Sequence, residues 1–468
     1  MTTALATKSA ADLVRERAGA NVSLCYQCKK CTLGCPMSSY MDTMPNQVIR
    51  LLQFDRLDEA LRTRSIWLCA SCQTCSTRCP SGIEVAQVMD ALRVIAQERG
   101  ISAKLPAETT FIQAGLRSIN ALGRMYELGL MAEMNLRTGQ IFKDMDMGLK
   151  MFRAGHLKLV PQRAGFPRTL KRAAAPAGVI AYYPGCSLHA SAGEYDKSLR
   201  AVAKNLGLEL REPNGWVCCG STPAHWKSED LAQELPLRNL ALIESKGYGA
   251  VSVPCAMCFS RLKFAEHESA QDPSVNERLG RKIGYEYRHG VSVENAVDTF
   301  VNRIGVDALA KQTKRPLSGL KLVCYYGCLL TRPPEITGAD NPEYPMSMDR
   351  LLRALGAETL DWSYKTDCCG GSLSIIDTDK CLDLIQRIVD NARAVGADAV
   401  AVACPMCHAN LDARQAGLAK REGRAYDMPV LYFTQLMALA LGLGRKRSAV
   451  DGHLVDVRPL LRARGLLD

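Results

Sequence analysis

Apolar residues recur at three- and four-residue steps through most of the first 155 residues. The pattern is clear in "TMPNQVIRLLQFDRLDEALRTRSIWLC" (43–69), in "VAQVMDALRVIAQERG" (85–100) and in the methionine-rich stretch 111–155. This spacing is typical of amphipathic helices that bury one face. We therefore predict an α-helical domain at the N-terminus.

The pattern changes after residue 178. Short apolar, β-branched runs such as "AVSVPC" (250–255) and "AVAVAC" (399–404) now alternate with helical stretches such as 231–247 and 380–396. Alternation of this kind predicts a parallel sheet that is flanked by helices.

This α/β region is an internal repeat. The stretch "VIAYYPGC" ending at Cys186 matches "LVCYYGC" ending at Cys328, "GWVCCGS" matches "KTDCCGG", and "GAVSVPCAMC" matches "DAVAVACPMC". Two units therefore share one plan. The predicted organisation is a helical domain 1–155, a proline-containing linker 156–178, a first repeated domain 179–318, a second repeated domain 319–445 and a basic C-terminal tail 446–468.

Two cysteine runs in the helical domain share the spacing C-x2-C-x2-C-x3-C-P, namely "CYQCKKCTLGCP" and "CASCQTCSTRCP". Three thiolates at this spacing bind one iron–sulfur cluster, and the fourth cysteine typically binds the other cluster. Zinc, the alternative, usually takes two separate C-x2-C pairs. We predict two 4Fe–4S clusters, one held by Cys25, Cys28, Cys31 and Cys79 and the other by Cys69, Cys72, Cys75 and Cys35.

Each repeated unit carries five further cysteines in three segments, each just after a predicted strand. Ligands of parallel sheets bind at the carboxyl ends of the strands. A cubane needs four thiols, so a fifth makes sense if one cysteine bridges two irons in a more open cluster. Zinc, or thiols that are only packed or redox-active, are the alternatives. The two sets are Cys186, Cys218, Cys219, Cys255, Cys258 and Cys328, Cys368, Cys369, Cys404, Cys407.

Glycine follows both double cysteines, at Gly220 and Gly370. We expect these glycines to remove a side chain where the backbone approaches the metal. The two remaining cysteines, Cys324 and Cys381, fall inside a predicted strand and a predicted helix, and we expect them to be buried and inert.

Charge and composition restrict the cellular compartment and the classes of partner that we expect for this protein. The 20 cysteines, with no export signal visible, indicate a reducing cytosol, where grouped cysteines more often bind metal than form disulfides. The formal charge of +11 comes from scattered Lys and Arg without an aromatic-rich basic stretch, which argues against nucleic acid. No apolar run is long enough to span a bilayer. We expect a cytoplasmic protein, or one that associates with a membrane through a partner.

The repeated cysteine set resembles the CCG domain in the B subunit of heterodisulfide reductase, and the N-terminal runs resemble the C subunit of that enzyme, which is a helical ferredoxin. The resemblance covers residues from about 20 to about 445 and implies that both subunits are fused in one chain. It implies an α-helical ferredoxin domain followed by two repeated α/β CCG domains. Two cubane and two noncubane 4Fe–4S clusters follow, with zinc in a CCG site as the minor alternative. Lys29 and Lys30 stand where the family often has glycine.

The resemblance also implies a function. In that family a small-molecule disulfide binds between two noncubane clusters, each of which delivers one electron to one sulfur. We therefore expect one member of a hetero-oligomeric complex that reduces a disulfide or oxidises thiols. Its donor would be a flavin-binding protein like the A subunit of that family, or another electron-donor subunit. The alternative is an electron-transfer subunit of a flavoprotein complex, of the glycolate or lactate oxidase type or a dearomatising reductase, without a thiol substrate.

Four residues near the cluster cysteines are candidates for handling substrate. A cation could hold an anionic thiol, and a histidine could protonate a leaving thiolate. Such residues are more often structural hydrogen-bonding groups beside a cluster. The candidates are His189, His225, Arg332 and His408.

Overall fold

The computed structural model describes residues 8–101, 106–175 and 178–467. Its first part is helical, as the apolar spacing predicts, and the described residues before 180 contain no strand. The side chain of Ser9 accepts a hydrogen bond from the Asp12 amide at the start of the first helix. The helices of this part are α1 Ala10–Ala18, α2 Lys30–Leu33, α3 Pro45–Gln53, α4 Leu57–Leu61, α5 Ser65–Leu68, α6 Thr74–Thr77, α7 Val85–Glu98, α8 Pro106–Leu122, α9 Glu127–Arg137 and α10 Met145–Arg153.

The first repeated unit forms a parallel sheet with the strand order β2-β1-β3-β4. Every residue of the central strand β3 is buried, as expected for a strand that helices cover on both faces. The strands are β1 Ile180–Tyr182, β2 Leu210–Arg211, β3 Ala250–Val253 and β4 Ser292–Asn295. The helices are α11 Gly185–Leu188, α12 Gly193–Asn205, α13 Glu229–Ser245, α14 Ala256–Gln271, α15 Pro273–Ile283, α16 Ala296–Arg303 and α17 Val306–Lys311.

The second repeated unit has the equivalent parallel order, β6-β5-β7-β8. The predicted fold class, a helical domain followed by two repeated α/β domains, is therefore confirmed. The strands are β5 Lys321–Tyr325, β6 Glu358–Thr359, β7 Ala399–Val402 and β8 Val430–Tyr432. The helices are α18 Pro334–Thr337, α19 Ser347–Ala354, α20 Thr378–Ala394, α21 Pro405–Ala413, α22 Gln415–Glu422 and α23 Phe433–Ala440.

One hydrophobic core runs through both repeated units. Helix α12 of the first unit packs against α23 of the second. The buried ring of Tyr195 stacks on that of Tyr432 with the centroids 4.2 Å apart, and the hydroxyls of Ser198 and Thr434 lie 2.7 Å apart. Because aromatic stacking and a buried hydrogen bond join them, the two units form one packed body.

The segment predicted as a basic tail packs where the two units meet, since its first helix contacts α12 of the first unit and α23 of the second. It contains α24 Arg445–Ser448 and α25 Arg458–Ala463, and the side chains of Val457 and Leu461 are fully buried. The apolar residues between the arginines explain this packing, since they cover the core while the arginines stay at the surface. The predicted linker, by contrast, contains no helix or strand over residues 156–175.

The apolar stretch 430–444 forms β8 and the fully buried helix α23. Within the described ranges, no helix combines the length and the apolar character needed to cross a membrane.

Candidate iron–sulfur centres

The two cysteine runs of the helical domain adopt the same loop. In the first run Gln27 and Lys29, on either side of the second cysteine, have left-handed backbone with φ of 61° and 64°. In the second run the equivalent residues Ser71 and Gln73 have φ of 51° and 62°. Left-handed backbone is the conformation that glycine adopts most easily. Lys29 therefore holds a strained position at which a glycine would be relaxed.

The fourth cysteine of each run lies beside the other run. Among the neighbouring thiols, those of Cys72 and Cys69 raise the pKa of Cys35 most, and both belong to the other run. The pKa of Cys31 is raised in the same way by Cys25 and by Cys79, which belongs to the other run. We call these sets the outer ferredoxin group, which lines one cavity and consists of Cys25, Cys28, Cys31 and Cys79, and the inner ferredoxin group, which consists of Cys69, Cys72, Cys75 and Cys35.

The two ferredoxin groups differ in exposure. Cys28 of the outer group is exposed, and so are Lys29 and Lys30 beside it. Cys69 and Cys72 of the inner group are buried. The outer group therefore faces the surface, whereas the inner group faces the repeated units.

The cysteines of both repeated units make the same contacts with one another. The thiol of Cys186 lies within hydrogen-bonding reach of Cys218, and Cys219 Sγ lies 3.3 Å from Cys258 Sγ. In the second unit Cys328 meets Cys368, and Cys369 Sγ lies 3.7 Å from Cys407 Sγ. We call these sets the first CCG group (Cys186, Cys218, Cys219, Cys255, Cys258) and the second CCG group (Cys328, Cys368, Cys369, Cys404, Cys407).

A glycine precedes the first cysteine of each CCG group at equivalent places. A Cβ atom on Gly185 would lie 2.9 Å from Cys258 Sγ, and one on Gly327 would lie 2.9 Å from Cys407 Sγ. Both glycines have a left-handed φ, 73° and 71°. Glycine is therefore required here both by the backbone and by the nearness of the sulfur.

The glycines after the double cysteines lie against the following helix as well as against the cysteine sulfurs. A Cβ on Gly220 would lie 2.6 Å from Leu235 Cδ1, and one on Gly370 would lie 3.2 Å from Cys381 Sγ. These neighbours lie on the helices that follow, so the glycines allow close packing there. The backbone amides of Gly220 and Gly370 also donate hydrogen bonds to Cys218 Sγ and Cys368 Sγ, at 3.4 and 3.3 Å. Cys381 and Cys324 are fully buried, as expected.

The four groups follow one another through the molecule. The thiol of Cys72, in the inner ferredoxin group, lies within hydrogen-bonding reach of Cys368 in the second CCG group. The thiol of Cys404 in that group meets Cys255 of the first CCG group. The order from the surface inward is therefore outer ferredoxin group, inner ferredoxin group, second CCG group and first CCG group.

A large cavity adjoins the first CCG group. Its empty space, including the open mouth, measures about 1260 Å³. All five cysteines of the first CCG group line it, whereas the second unit contributes residues that flank its own cysteines, such as Ser372, Met406 and Asn410. Methionines from the helical domain form much of the opposite wall, namely Met125, Met131, Met147 and Met151.

Comparison with known proteins gives the same division of the chain. The family described as "Cysteine-rich domain", or CCG, matches residues 180–263 and again 322–412. The family described as "4Fe-4S dicluster domain" matches residues 21–83. The chain is 30% identical over 283 residues to the 8-methylmenaquinol:fumarate reductase membrane anchor subunit of Wolinella succinogenes, a match that covers 60% of this chain and 98% of that protein.

Two different subunits of heterodisulfide reductase match two parts of the chain. The B subunit of the ferredoxin:CoB-CoM heterodisulfide reductase of Methanosarcina mazei is 28% identical over 284 residues, which cover 59% of this chain and 94% of that protein. The iron–sulfur C subunit of the CoB–CoM heterodisulfide reductase of Methanopyrus kandleri is 34% identical over 84 residues, 18% of this chain and 44% of that protein. The chain belongs to the CCG-domain family that includes the B subunit of heterodisulfide reductase.

A further relative matches almost the whole length. The probable glycolate oxidase iron-sulfur subunit of Bacillus subtilis is 22% identical over 442 residues, 89% of this chain and 94% of that protein. Family members therefore include proteins named for acceptors or donors other than thiols.

The residues of all four groups fit iron–sulfur clusters. Burial and the neighbouring thiols of Cys69 and Cys72 raise the pKa of Cys75 well above its ordinary value. Buried thiols packed in this way ionise only when a cation compensates their charge, and a bound metal provides that cation. Structural zinc takes four ligands, so zinc would leave one thiol of each CCG group unused.

The four residues predicted to handle substrate lie outside the large cavity. Arg332 is fully buried and donates hydrogen bonds to Thr74 of the ferredoxin domain and to Thr366. The Nδ1 atom of His225 lies 3.0 Å from a carboxylate oxygen of Asp90. Both residues thus join a repeated unit to the ferredoxin domain.

The other two candidates are also engaged with neighbours. Nε2 of His189 lies 3.0 Å from Glu212, and this histidine lines a smaller cavity together with Cys186. The ring of His408 stacks on Tyr432 at 4.2 Å. A substrate role for the four residues stays a prediction, and the large cavity is lined by others.

Sequence reasoning missed several residues of that cavity. Glu127 lines it and hydrogen-bonds with Ser187 and Ser191; burial raises the pKa of its carboxyl, while those hydrogen bonds oppose the shift. Arg414 also lines the cavity, where Asp144 binds it at 2.6 Å. No motif marks these positions. The methionine-rich helical stretch was the available signal, because unbranched methionines often line adaptable binding surfaces.

Proposed function

We propose that this chain is the iron–sulfur subunit of a heterodisulfide-reductase-like complex that reduces a small-molecule disulfide or oxidises the corresponding thiols. Cubane 4Fe–4S clusters would occupy the two ferredoxin groups and noncubane 4Fe–4S clusters the two CCG groups, where they would supply one-electron storage. The observation that carries the proposal is the line of four cysteine groups that ends at a cavity large enough for a small molecule. The proposal includes the prediction of a cytoplasmic location, or of membrane association through a partner.

The chain's own residues set the path. Contact between Cys72 and Cys368 joins the ferredoxin domain to the second unit, and contact between Cys404 and Cys255 joins the second unit to the first. Such contacts keep neighbouring groups close enough for electrons to pass without large movements. Reduction of one disulfide takes two electrons and two protons, breaks one S–S bond and yields two thiols.

The cavity favours a substrate with apolar or neutral flanks. Among the described residues that line it, Arg414 is the only cation, and Asp144 already neutralises its charge. Methionine and leucine side chains make up much of the remaining wall. A strongly anionic thiol would lose its hydration there without gaining a counter-charge.

Glu127 is placed to hold a proton at the cavity wall. Burial raises the pKa of its carboxyl, so the protonated form persists to a higher pH than for an exposed glutamate. A protonated carboxyl beside the first CCG group can supply a proton to a leaving thiolate. We propose Glu127 for this role.

The outer ferredoxin group is the proposed entry point for electrons. Cys28 is exposed there between Tyr26 and the exposed side chains of Lys29 and Lys30. A positively charged rim favours docking of an acidic redox partner. We propose that a flavin-binding protein like the family's A subunit, or another donor subunit, binds at this surface in a hetero-oligomeric complex.

The alternative function is electron transfer without a thiol substrate, within a flavoprotein complex. The relative named for glycolate oxidase supports it, because that match spans almost the whole chain. The disulfide function is the better supported of the two, because the cavity extends beyond the five cysteines to Met147, Met151 and Arg414, and a simple relay has no need of that additional space.

The test uses protein that is purified without oxygen and then oxidised. Addition of neutral 2-mercaptoethanol should change the paramagnetic signal of the CCG groups and leave the ferredoxin signals unchanged. Anionic 3-mercaptopropionate, of similar size, should need a higher concentration for the same change. If neither thiol, nor any of a panel of disulfides added to reduced protein, alters a cluster signal, the disulfide function is wrong and the alternative holds.

A further inference from the structure

Exposed apolar side chains are concentrated in one short part of the chain. Of the 12 large apolar side chains that are exposed among the described residues, eight fall within 25 consecutive residues. Phe142 and Val160 are the most exposed of the eight, at 77% and 76%. We call this segment the apolar shelf; its exposed members are Leu136, Ile141, Phe142, Met145, Leu149, Phe152, Leu159 and Val160.

Helix α10 of the shelf has two apolar faces. Met147 and Met151, four residues apart, line the large cavity. Met145, Leu149 and Phe152, at steps of four and three residues, are exposed. A helix that is apolar on two sides is normally covered on both. Within the described parts of this chain, only the cavity side has a cover.

Basic residues accompany the exposed apolar side chains. Lys150, Arg153, Lys158 and Arg163 are exposed within or next to the shelf. Residues 136–163 contain six basic and two acidic residues, and one of the acidic ones, Asp144, binds Arg414. The outer surface of the shelf is therefore positive.

The residue types of the shelf distinguish a protein partner from a membrane surface, because lysine accompanies phenylalanine and leucine. Lysine is depleted in protein–protein interfaces. By contrast, segments that lie in the plane of a membrane surface combine Phe and Leu on one side with Lys and Arg that reach the headgroups. The charge of the shelf complements the negative potential of anionic lipids.

We propose that the apolar shelf, residues 136–160, docks on the surface of an anionic lipid bilayer, with its phenylalanines and leucines among the acyl chains and its lysines and arginines at the headgroups. This is an interaction that lies beyond the proposed function and does not depend on it. The shelf residues Met147, Met151 and Leu157 also line the large cavity. Docking would therefore set the cavity wall beside the membrane, where a ligand dissolved in lipid could reach it.

The experiment is flotation of the intact, cluster-loaded chain with vesicles made of equal parts phosphatidylglycerol and phosphatidylcholine. We expect the protein to float with these vesicles, and to float less with pure phosphatidylcholine or at high salt. The double variant F142E/F152E should bind at least about tenfold more weakly, since it removes two rings from the acyl region and adds two charges. Its visible cluster absorbance should equal that of the wild type, which shows that the fold and the sites are intact.

A matched control comes from the ferredoxin domain. Phe54 is 60% exposed and lies outside the shelf, so Phe54→Glu makes the same change elsewhere and should leave flotation unchanged. The proposal is overturned if the wild type does not float with anionic vesicles. It is equally overturned if F142E/F152E floats as well as the wild type. A protein partner that covers the shelf in place of lipid would give the first of these results.

Discussion

The two CCG units match each other in cysteine contacts, strand order and the glycine before the first cysteine, yet they face different surroundings. All five cysteines of the first group line the large cavity. The second group contacts the inner ferredoxin group instead, through Cys368 and Cys72. The repeat therefore supplies one arrangement of cysteines twice, and the position of the helical domain gives the two copies different surroundings. We infer that the second unit receives electrons and the first unit meets the substrate.

We propose that this division departs from the symmetrical arrangement that the resemblance implies. In that arrangement a disulfide lies between two clusters, whereas the cysteines that line this cavity belong to the first group. The second unit lines it with Gly371, Met406 and Asn410 rather than with its cysteines. We therefore expect substitutions in the two units to have separable effects, which range from loss of turnover to a modest loss of stability.

The largest effect should come from breaking each group in turn. Cys218→Ser removes a ligand from the substrate-facing group, and Cys368→Ser removes one from the transfer group. Both should lower steady-state disulfide reduction by at least about a hundredfold, because a lost ligand disables the site that every electron must cross. Rapid mixing with a reductant that donates its electrons to the ferredoxin groups should distinguish the two variants.

In Cys218→Ser the second group should still be reduced at the normal rate, whereas in Cys368→Ser reduction should stop at the ferredoxin groups. Cys324→Ser, at a fully buried cysteine outside the four groups, is the matched control that leaves every thiol of the groups in place. Normal turnover in either cysteine variant would contradict the linear path.

Substitution of the glycine before the first cysteine of a CCG group should remove the cluster from that unit alone. Gly185→Ala places a Cβ 2.9 Å from Cys258 Sγ, and Gly327→Ala does the same to Cys407 Sγ. Each should lower the iron content from about sixteen to about twelve atoms per chain and abolish most of the turnover. Gly193→Ala is the matched control, because a Cβ there meets nothing within 4 Å. Full iron in both variants would show that the sulfur positions are not those of the bound state.

Glu127→Gln should have a moderate effect on the rate of disulfide reduction and on its pH profile. Burial raises the pKa of Glu127, so the rate of disulfide reduction in the wild type should fall as pH rises through that raised value. The variant should be slower by about tenfold or more at low pH and should lack this limb of the pH profile. Glu133→Gln, on the same helix and paired with Arg137, should keep the wild-type profile. An unchanged profile in Glu127→Gln would exclude the proton role.

Arg332→Ala should affect stability more than chemistry. Its guanidinium is fully buried between Thr74 and Thr366 and joins the second unit to the ferredoxin domain. Its loss should lower the free energy of unfolding by about 2–4 kcal/mol, measured by denaturant titration, with KM for the disulfide unchanged. Arg99→Ala, which breaks an exposed ion pair with Asp58, should cost less than about 1 kcal/mol. A raised KM at unchanged stability would place Arg332 at the substrate.

Local spacing made the fold class predictable and marked the cysteines of the candidate cluster sites. Cys35 and Cys79 could be assigned across the two runs because the C-x2-C-x2-C-x3-C-P pattern itself implies the exchange. The repeat and its parallel sheets followed from the alternation of apolar runs and helices. In each case a few consecutive residues contain the information.

Contacts between elements that are distant in sequence could not be predicted from local spacing. Nothing near Cys72 or Cys368 in the sequence indicates that the two meet, and the equal motifs of the units conceal their unequal surroundings. Met147 and Met151 have the spacing of core residues, and only the packing of α10 against the units turns them into a cavity wall. The contacts of Arg332 with Thr74 and Thr366 could not be foreseen either, because both partners are distant in sequence.

The most direct test of the division of roles is a thiol titration of oxidised, oxygen-free protein followed by electron paramagnetic resonance in two variants. Cys368→Ser leaves the first group intact, so 2-mercaptoethanol should still produce the change seen in the wild type. Cys218→Ser should abolish that change while the ferredoxin signals remain. If the signal instead survives in Cys218→Ser and disappears in Cys368→Ser, or needs both groups, the first CCG unit is not the substrate-facing site and the account is wrong.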